Sequence, residues 1–107
     1  ESTRRTKKYT KADWQQIKSE GEDIVTRLAK AMESGLPAGS TEVTALAEDG
    51  RQHISRWFYE CGHAMHVALA EMYLVDRRFR SYYDDRRDGL AQYWHDAILA
   101  NAENHES

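Results

Sequence analysis

The chain has 107 residues, 40% of them hydrophobic and 31% charged, with a formal net charge of −3 and a single cysteine. That length suits one domain able to bury a core without metal or disulfide staples, and one cysteine can form no bridge within the chain. No apolar run approaches the roughly 20 residues that cross a bilayer, no signal-peptide core is present, and the surplus of Lys and Arg that grips phosphates is lacking, so the expected setting is cytoplasmic, with no membrane and no direct nucleic-acid partner.

The chain begins at Glu1 rather than Met and is read as a fragment or processed form. Residues 1–9 are polar and basic and are expected to be a flexible lead-in or linker end. Thr10 and Asp13 make a capping-box pair at the start of a helix whose apolar positions, Trp14, Ile17, Ile24, Leu28 and Met32, fall on one stripe. Gly21 sits on that stripe, which suggests close contact with another helix or a ligand. Ser34-Gly35-Leu36-Pro37 ends the helix, since Gly supplies a left-handed cap and Pro forbids continuation.

A second helix is expected from Ser40 or Thr41, with Val43, Leu46, Ala47, Ile54, Trp57 and Phe58 inward and Glu42 favouring its N-terminal dipole. Cys61-Gly62 marks a bend. A third helix then carries Met65, Leu69, Met72 and Tyr73. Asp76 caps a short fourth helix bearing Phe79, Tyr82 and Tyr83, Asp88-Gly89 breaks it, and a last helix runs from about Leu90 through Trp94 and Ile98. No window alternates as a strand would. The expected domain spans residues 10–103, an all-α bundle of about five helices, with residues 104–107 as a frayed C-terminus.

The stretch from Arg56 to Tyr73, RWFYECGHAMHVALAEMY, is dense in aromatics, histidine and methionine. At about 100° per residue, Cys61, Ala64, Met65, Ala68, Leu69, Met72 and Val75 share one arc, expected to face inward. His66 and Tyr73 flank it, and His63, Ala70 and Leu74 lie on the far side. Three chemistries compete for the stretch. Glu60, His63 and His66 repeat at three-residue steps, as in helical metal sites, but a second carboxylate–histidine set is missing, so no metal is expected. Cys61 near a helix start could be activated, yet its inward direction favours an inert packing thiol. Trp57, Phe58, Tyr59, Met65, Met72, Tyr73, Tyr82, Tyr83, Tyr93 and Trp94 supply either an ordinary core or the lining of an apolar pocket. The charged run DRRFRSYYDDRRDGL reads as a solvated face of local ion pairs. No acid–base pair or cofactor fingerprint stands out, so no enzyme activity and no cofactor are expected.

RQHISRWFYECGHAMHVALAEMYLVDRRF, continued by GLAQYWHDAILANA, closely resembles the TipAS-type antibiotic-recognition domain of MerR-family transcription regulators. The combination Tyr59-x-Cys61, Met65-His66, Glu71-Met72-Tyr73, Asp76-x-Arg78-Phe79 and Gly89-Leu90-Ala91 carries the likeness. It implies a globin-like all-helical fold with a deep cleft for bulky, largely apolar antibiotics such as thiopeptides or other aromatic drugs. It also implies a linked DNA-binding domain, which this chain lacks, and a homodimer formed through the missing region as a candidate assembly. Some members carry a second cysteine seven residues after the first, which captures electrophilic ligands covalently. Here Ala68 holds that position, so binding is expected to be reversible unless Cys61 substitutes. The expected ligand-binding residues are Trp57, Phe58, Tyr59, Cys61, Met65, His66, Ala68, Met72, Tyr73, Tyr82 and Tyr83, with His66 and Tyr73 directing hydrogen bonds. The sequence does not separate a regulator's effector module from a drug-sequestering protein, and a helical protein-interaction domain without a small-molecule ligand is the alternative.

Overall fold

The computed structural model describes residues 5–105. Five helices follow one another in it: α1 (Lys11–Glu33), α2 (Thr41–Trp57), α3 (His63–Val75), α4 (Arg77–Asp84) and α5 (Leu90–Asn104). No strand occurs among the described residues, as the absence of alternation predicted.

Local chemistry sets most of the helix ends. Thr10 and Asp13 exchange the two hydrogen bonds of a capping box, at 3.1 and 3.0 Å. Ser40 accepts from the Val43 amide at the head of α2. Asp76 closes α3 and at once caps α4 by accepting from the Arg78 amide at 2.9 Å, so the two helices meet at one residue. Gly35 and Gly89 take the left-handed conformation, φ 82° and 84°, that side chains resist. Asp84 accepts from the Ala91 amide at 2.9 Å, serving the start of α5 where Gly89 has no side chain to do so.

α5 lies at the centre of the bundle, packed against the other four helices. It buries Leu90, Ala91, Trp94, Ala97, Ile98, Asn101 and Ala102, opposed by Leu28 of α1 and by Val43, Leu46 and Ala47 of α2. The tightest approach is at Gly50 of α2, where a Cβ would stand 2.9 Å from the Trp94 ring. Gly21 faces His53 at an ordinary 3.8 Å from where its Cβ would be.

Two expectations need correction. The lead-in is tied down at its described end. The Tyr9 hydroxyl donates to the Trp57 carbonyl, and Arg5 donates to the Ser55 carbonyl at 2.9 Å. Both acceptors belong to the last turn of α2, whose carbonyls lack helical partners. The rest of the lead-in, residues 1–4, lies outside the described residues. At the other end Asn104 is still helical and His105 stacks on His63 at 4.5 Å, while residues 106–107 lie outside the description.

The larger correction concerns α3. The arc expected to face inward is the outer one: Ala64, Met65, Ala68, Met72 and Val75 are exposed and Leu69 is half-buried. The inner face instead buries His66 and Ala70, flanked by Val67, Tyr73 and Leu74. Cys61 is buried as expected, but it precedes the helix and does not share a face with Ala68. The reason is that α3, HAMHVALAEMYLV, is apolar nearly all round, with Glu71 as its one carboxylate. Periodicity then gives no direction, and close packing on α5 selects the side with small Ala70 and with His66 set edge-on to Trp94.

Candidate functional site

The outer face of α3, the end of α2 and the inner side of α4 enclose an apolar cleft. It consists of two grooves. One, of about 390 Å³, is lined by Tyr73, Arg78, Phe79, Tyr82 and Tyr83. The other, of about 320 Å³, is lined by Ile54, Phe58, Tyr59, Leu69, Met72, Tyr73 and Phe79. Tyr73 and Phe79 belong to both, with ring centroids 5.4 Å apart, so the grooves are two arms of one aromatic surface. Beneath it a smaller void of about 100 Å³ reaches inward from Tyr73 and Tyr83 to His66, Trp94, Gly50 and Gly21.

The sharp turn at Asp76 builds this shape. It folds α4 back beside α3, so Phe79 and Tyr82 stand opposite Tyr73 while remaining 37% and 42% exposed. Tyr83 turns inward, 5.7 Å from Tyr73 and 5.1 Å from Tyr82 between ring centroids. Arg86 lies over the Tyr82 ring at 4.1 Å, holding it by a cation–π contact at the outer rim.

The groups on the cleft floor are neutral at ordinary pH. Burial pushes the Tyr73 hydroxyl up to about 12, with smaller contributions from Tyr59 and Cys61, and raises that of Tyr83 further. His66 is 1% exposed, and burial, with the nearby Arg51 charge, lowers it to about 4. Its Nδ1 has no hydrogen-bond partner. Such a surface can stack rings, fill with bulky apolar matter and offer a tyrosine hydroxyl.

The predicted residues divide into three groups. Phe58, Tyr59, Met72, Tyr73, Tyr82 and Tyr83 line the grooves. Met65 and Ala68 are exposed on the same side of α3 as Met72, continuing its surface without lining either groove. Trp57, Cys61 and His66 lie elsewhere. The Trp57 indole donates to Glu20 at 2.8 Å and its ring meets Tyr9 edge-on, so its binding capacity is spent on joining α2 to α1 and the lead-in. Cys61 is fully buried, its thiol pushed up by burial with only partial relief from Arg51. His66 lies beneath the cleft, against the small void.

The site list drawn from the sequence omitted Phe79, Leu69, Ile54 and Arg78, although all four line the cleft. For Phe79 and Arg78 a signal existed in the Asp76-x-Arg78-Phe79 motif. Glu60 lies ahead of α3, so its three-residue spacing to His63 is not a helical one.

The model of the TipAS antibiotic-recognition domain family matches residues 1–101. The HTH-type transcriptional activator TipA of Streptomyces coelicolor is 46% identical over 105 residues, which are 98% of this chain and 42% of that protein. The HTH-type transcriptional activator mta of Bacillus subtilis is 30% identical over 107 residues, 100% of this chain and 41% of that protein. The chain thus spans less than half the length of these curated relatives. Among solved structures, TipAS of Streptomyces lividans in complex with nosiheptide superposes with a TM-score of 0.92 at 45% identity, over 99% of this chain and 74% of that one. The antibiotic binding domain of a TipA-class multidrug resistance transcriptional regulator gives 0.79 at 45% identity, over 88% of this chain and 100% of that one.

Proposed function

The chain belongs to the TipAS antibiotic-recognition domain family, and from that premise we propose that it is a drug-sensing domain. Its ligands are bulky, uncharged, aromatic antibiotics of the thiopeptide class, bound in the cleft between α3 and α4. One observation carries the reading: two apolar grooves meet at Tyr73 and Phe79 to make a continuous aromatic surface. Cavities for bulky apolar ligands have this composition, with a few polar groups to direct orientation.

In this reading Phe58, Tyr59, Met72, Tyr73, Phe79, Tyr82 and Tyr83 are the contact residues, with the Tyr73 hydroxyl as the directing hydrogen bond. Met65 and Ala68 extend the surface along α3. Binding is reversible, since Ala68 offers no thiol and Cys61 is buried with its thiol pushed toward the protonated form. The longer relatives are transcriptional activators, which supports a MerR-type DNA-binding domain as the linked partner and the cytoplasm as the setting. No helix among the described residues is long and apolar enough to cross a membrane. The drug alters such a partner only if the two states of the protein bind it differently.

A thermal melt with nosiheptide tests this directly. A ligand at a hundredfold excess over its Kd stabilises the folded state by ~2.7 kcal/mol, which raises the midpoint of a domain this size by roughly 10 °C or more. Tyr73→Ala and Phe79→Ala should each weaken binding at least tenfold, while Arg27→Ala, on the charged surface between α1 and α2, should leave it unchanged. No shift with a panel of aromatic antibiotics, together with concentration-dependent self-association, would favour the protein-interaction alternative.

A further inference from the structure

We propose that Glu48, His63 and His105 form a binding site for a borderline divalent transition-metal ion, of the Zn²⁺ class. The site joins the middle of α2, the first residue of α3 and the C-cap of α5, and it shares no residue with the lining of the two grooves. It stands independently of the drug-sensing reading.

Ligand atoms from the three side chains all lie within 4.8 Å of one another. The His63 and His105 rings stack at 4.5 Å with 17° between their planes. His105 is in the tautomer that a metal needs. Its Nδ1 lies 2.8 Å from the Asn101 carbonyl, which can only accept, so Nδ1 carries the proton and Nε2 presents a lone pair. His63 is unsatisfied: its Nδ1 is buried without a partner, and its Nε2 approaches Glu48 only to 3.9 Å, beyond hydrogen-bond range. The nitrogen that approaches the Glu48 carboxylate is Nε2, a different atom from the orphaned Nδ1, and with no hydrogen bond to Glu48 it is free to present a lone pair to an ion. Burial and the Arg51 charge keep His63 neutral, and Glu48 is held ionised, its carboxyl drawn down to about 2 chiefly by Arg51.

Two imidazoles and one carboxylate with a fourth position left for water is the donor set of an open zinc site. Tetrahedral ligands at zinc distances stand about 3.3 Å apart, so the three must draw together by about an ångström or more. His105 is exposed at the helix end and can supply most of that by rotating out of the stack. Arg51 acts against the ion. It donates through Nε to the same Glu48 oxygen that receives Asn101, each at 3.0 Å, so one of those hydrogen bonds must yield and a positive charge stays close. The grip is accordingly far weaker than that of closed structural sites.

The test is calorimetric titration of tag-free protein with Zn²⁺, with melts in Zn²⁺ and in EDTA. The expected result is one equivalent bound, a raised midpoint that EDTA reverses, and no response to Ca²⁺, which prefers oxygen ligands. His105→Ala removes a ligand from an exposed helix end without threatening the fold and should weaken Zn²⁺ at least tenfold, as should His63→Ala. His95→Ala should change nothing, since His95 already pairs with Glu71 and Asp96. Absence of Zn²⁺ binding, or binding undiminished in His105→Ala, overturns the proposal, and circular dichroism of each variant separates lost ligation from lost structure.

Discussion

Replacing Gly50 by alanine sets two well-known effects against each other at the tightest point of the fold. Alanine in a helix interior is favoured over glycine by about 1 kcal/mol. Here the added Cβ would lie 2.9 Å from both Cη2 and Cζ2 of Trp94, whereas carbon atoms rest at about 3.5–4.0 Å. The ring must therefore retreat by about 0.5–1 Å. Its room is limited: it is 5% exposed and set edge-on to His66 at 6.1 Å, and the small void it borders is lined by Gly50 as well, so the added methyl takes up part of that space itself. Overpacking costs about 1–3 kcal/mol, and two ring atoms at 2.9 Å place this site in the upper half of that range, about 2–3 kcal/mol, so crowding outweighs propensity and the net loss is about 1–2 kcal/mol. For a domain of this length that lowers the melting midpoint by roughly 5–15 °C. Urea unfolding followed by tryptophan fluorescence reads the free energy, and Trp94→Phe in the same background should recover part of it by removing the clashing atoms. A Gly50→Ala protein as stable as the parent would mean that Trp94 retreats freely, and the account of how α2 seats on α5 would be wrong.

Three further outcomes follow from individual environments. Burial holds His66 at about 4, below its ordinary 6.5, so the unfolded chain takes up a proton there that the folded one refuses; stability should fall as pH drops from about 6.5 toward 4, by about 3 kcal/mol from this residue. Urea midpoints at pH 7, 6 and 5 in EDTA should show a shallower slope in His66→Gln, and an unchanged slope would place the titration elsewhere. Cys61, buried with its thiol raised, should react with a disulfide reagent at least ~100-fold more slowly in the native protein than in urea; rapid native labelling would contradict its placement. Tyr9→Phe removes the hydroxyl bonded to the Trp57 carbonyl and should cost about 1 kcal/mol, whereas no loss would mean the lead-in is not anchored there.

The helix ends were legible because capping is local. Thr10 with Asp13, Ser40, Asp76, and the Gly35 and Gly89 stops each act within a few residues of themselves. What escaped is what depends on distant partners. Trp57 reads as a pocket residue until Glu20, 37 positions away, claims its indole. Tyr9 reads as linker until it is seen to cap α2 from 48 positions away. The direction of α3 could not be found from its own residues, because a helix apolar on every side has no marked inner face. Six of the ten residues that line the grooves were on the sequence list all the same; four of them, Phe58, Tyr59, Tyr82 and Tyr83, lie on α4 or at the end of α2 and do not depend on which way α3 turns.

That reversed helix is also the strongest physical argument for function. A sequence left to maximise its own stability would bury Met65 and Met72 and expose His66. This one does the opposite, leaving Met65 47% and Met72 37% exposed while His66 is 1% exposed, neutral and short of a partner at Nδ1. Full burial of a methionine is worth about 1.5–3 kcal/mol, so these two side chains, each more than a third exposed, forgo about 1–2.5 kcal/mol that a repacked helix would recover. Local rules broken this way, in a chain whose caps and stops otherwise obey them, mark a surface shaped for something other than the fold itself. The uncovered face and the grooves beside it are one and the same surface, and a large aromatic guest is the agent that would recover the energy the chain leaves unclaimed.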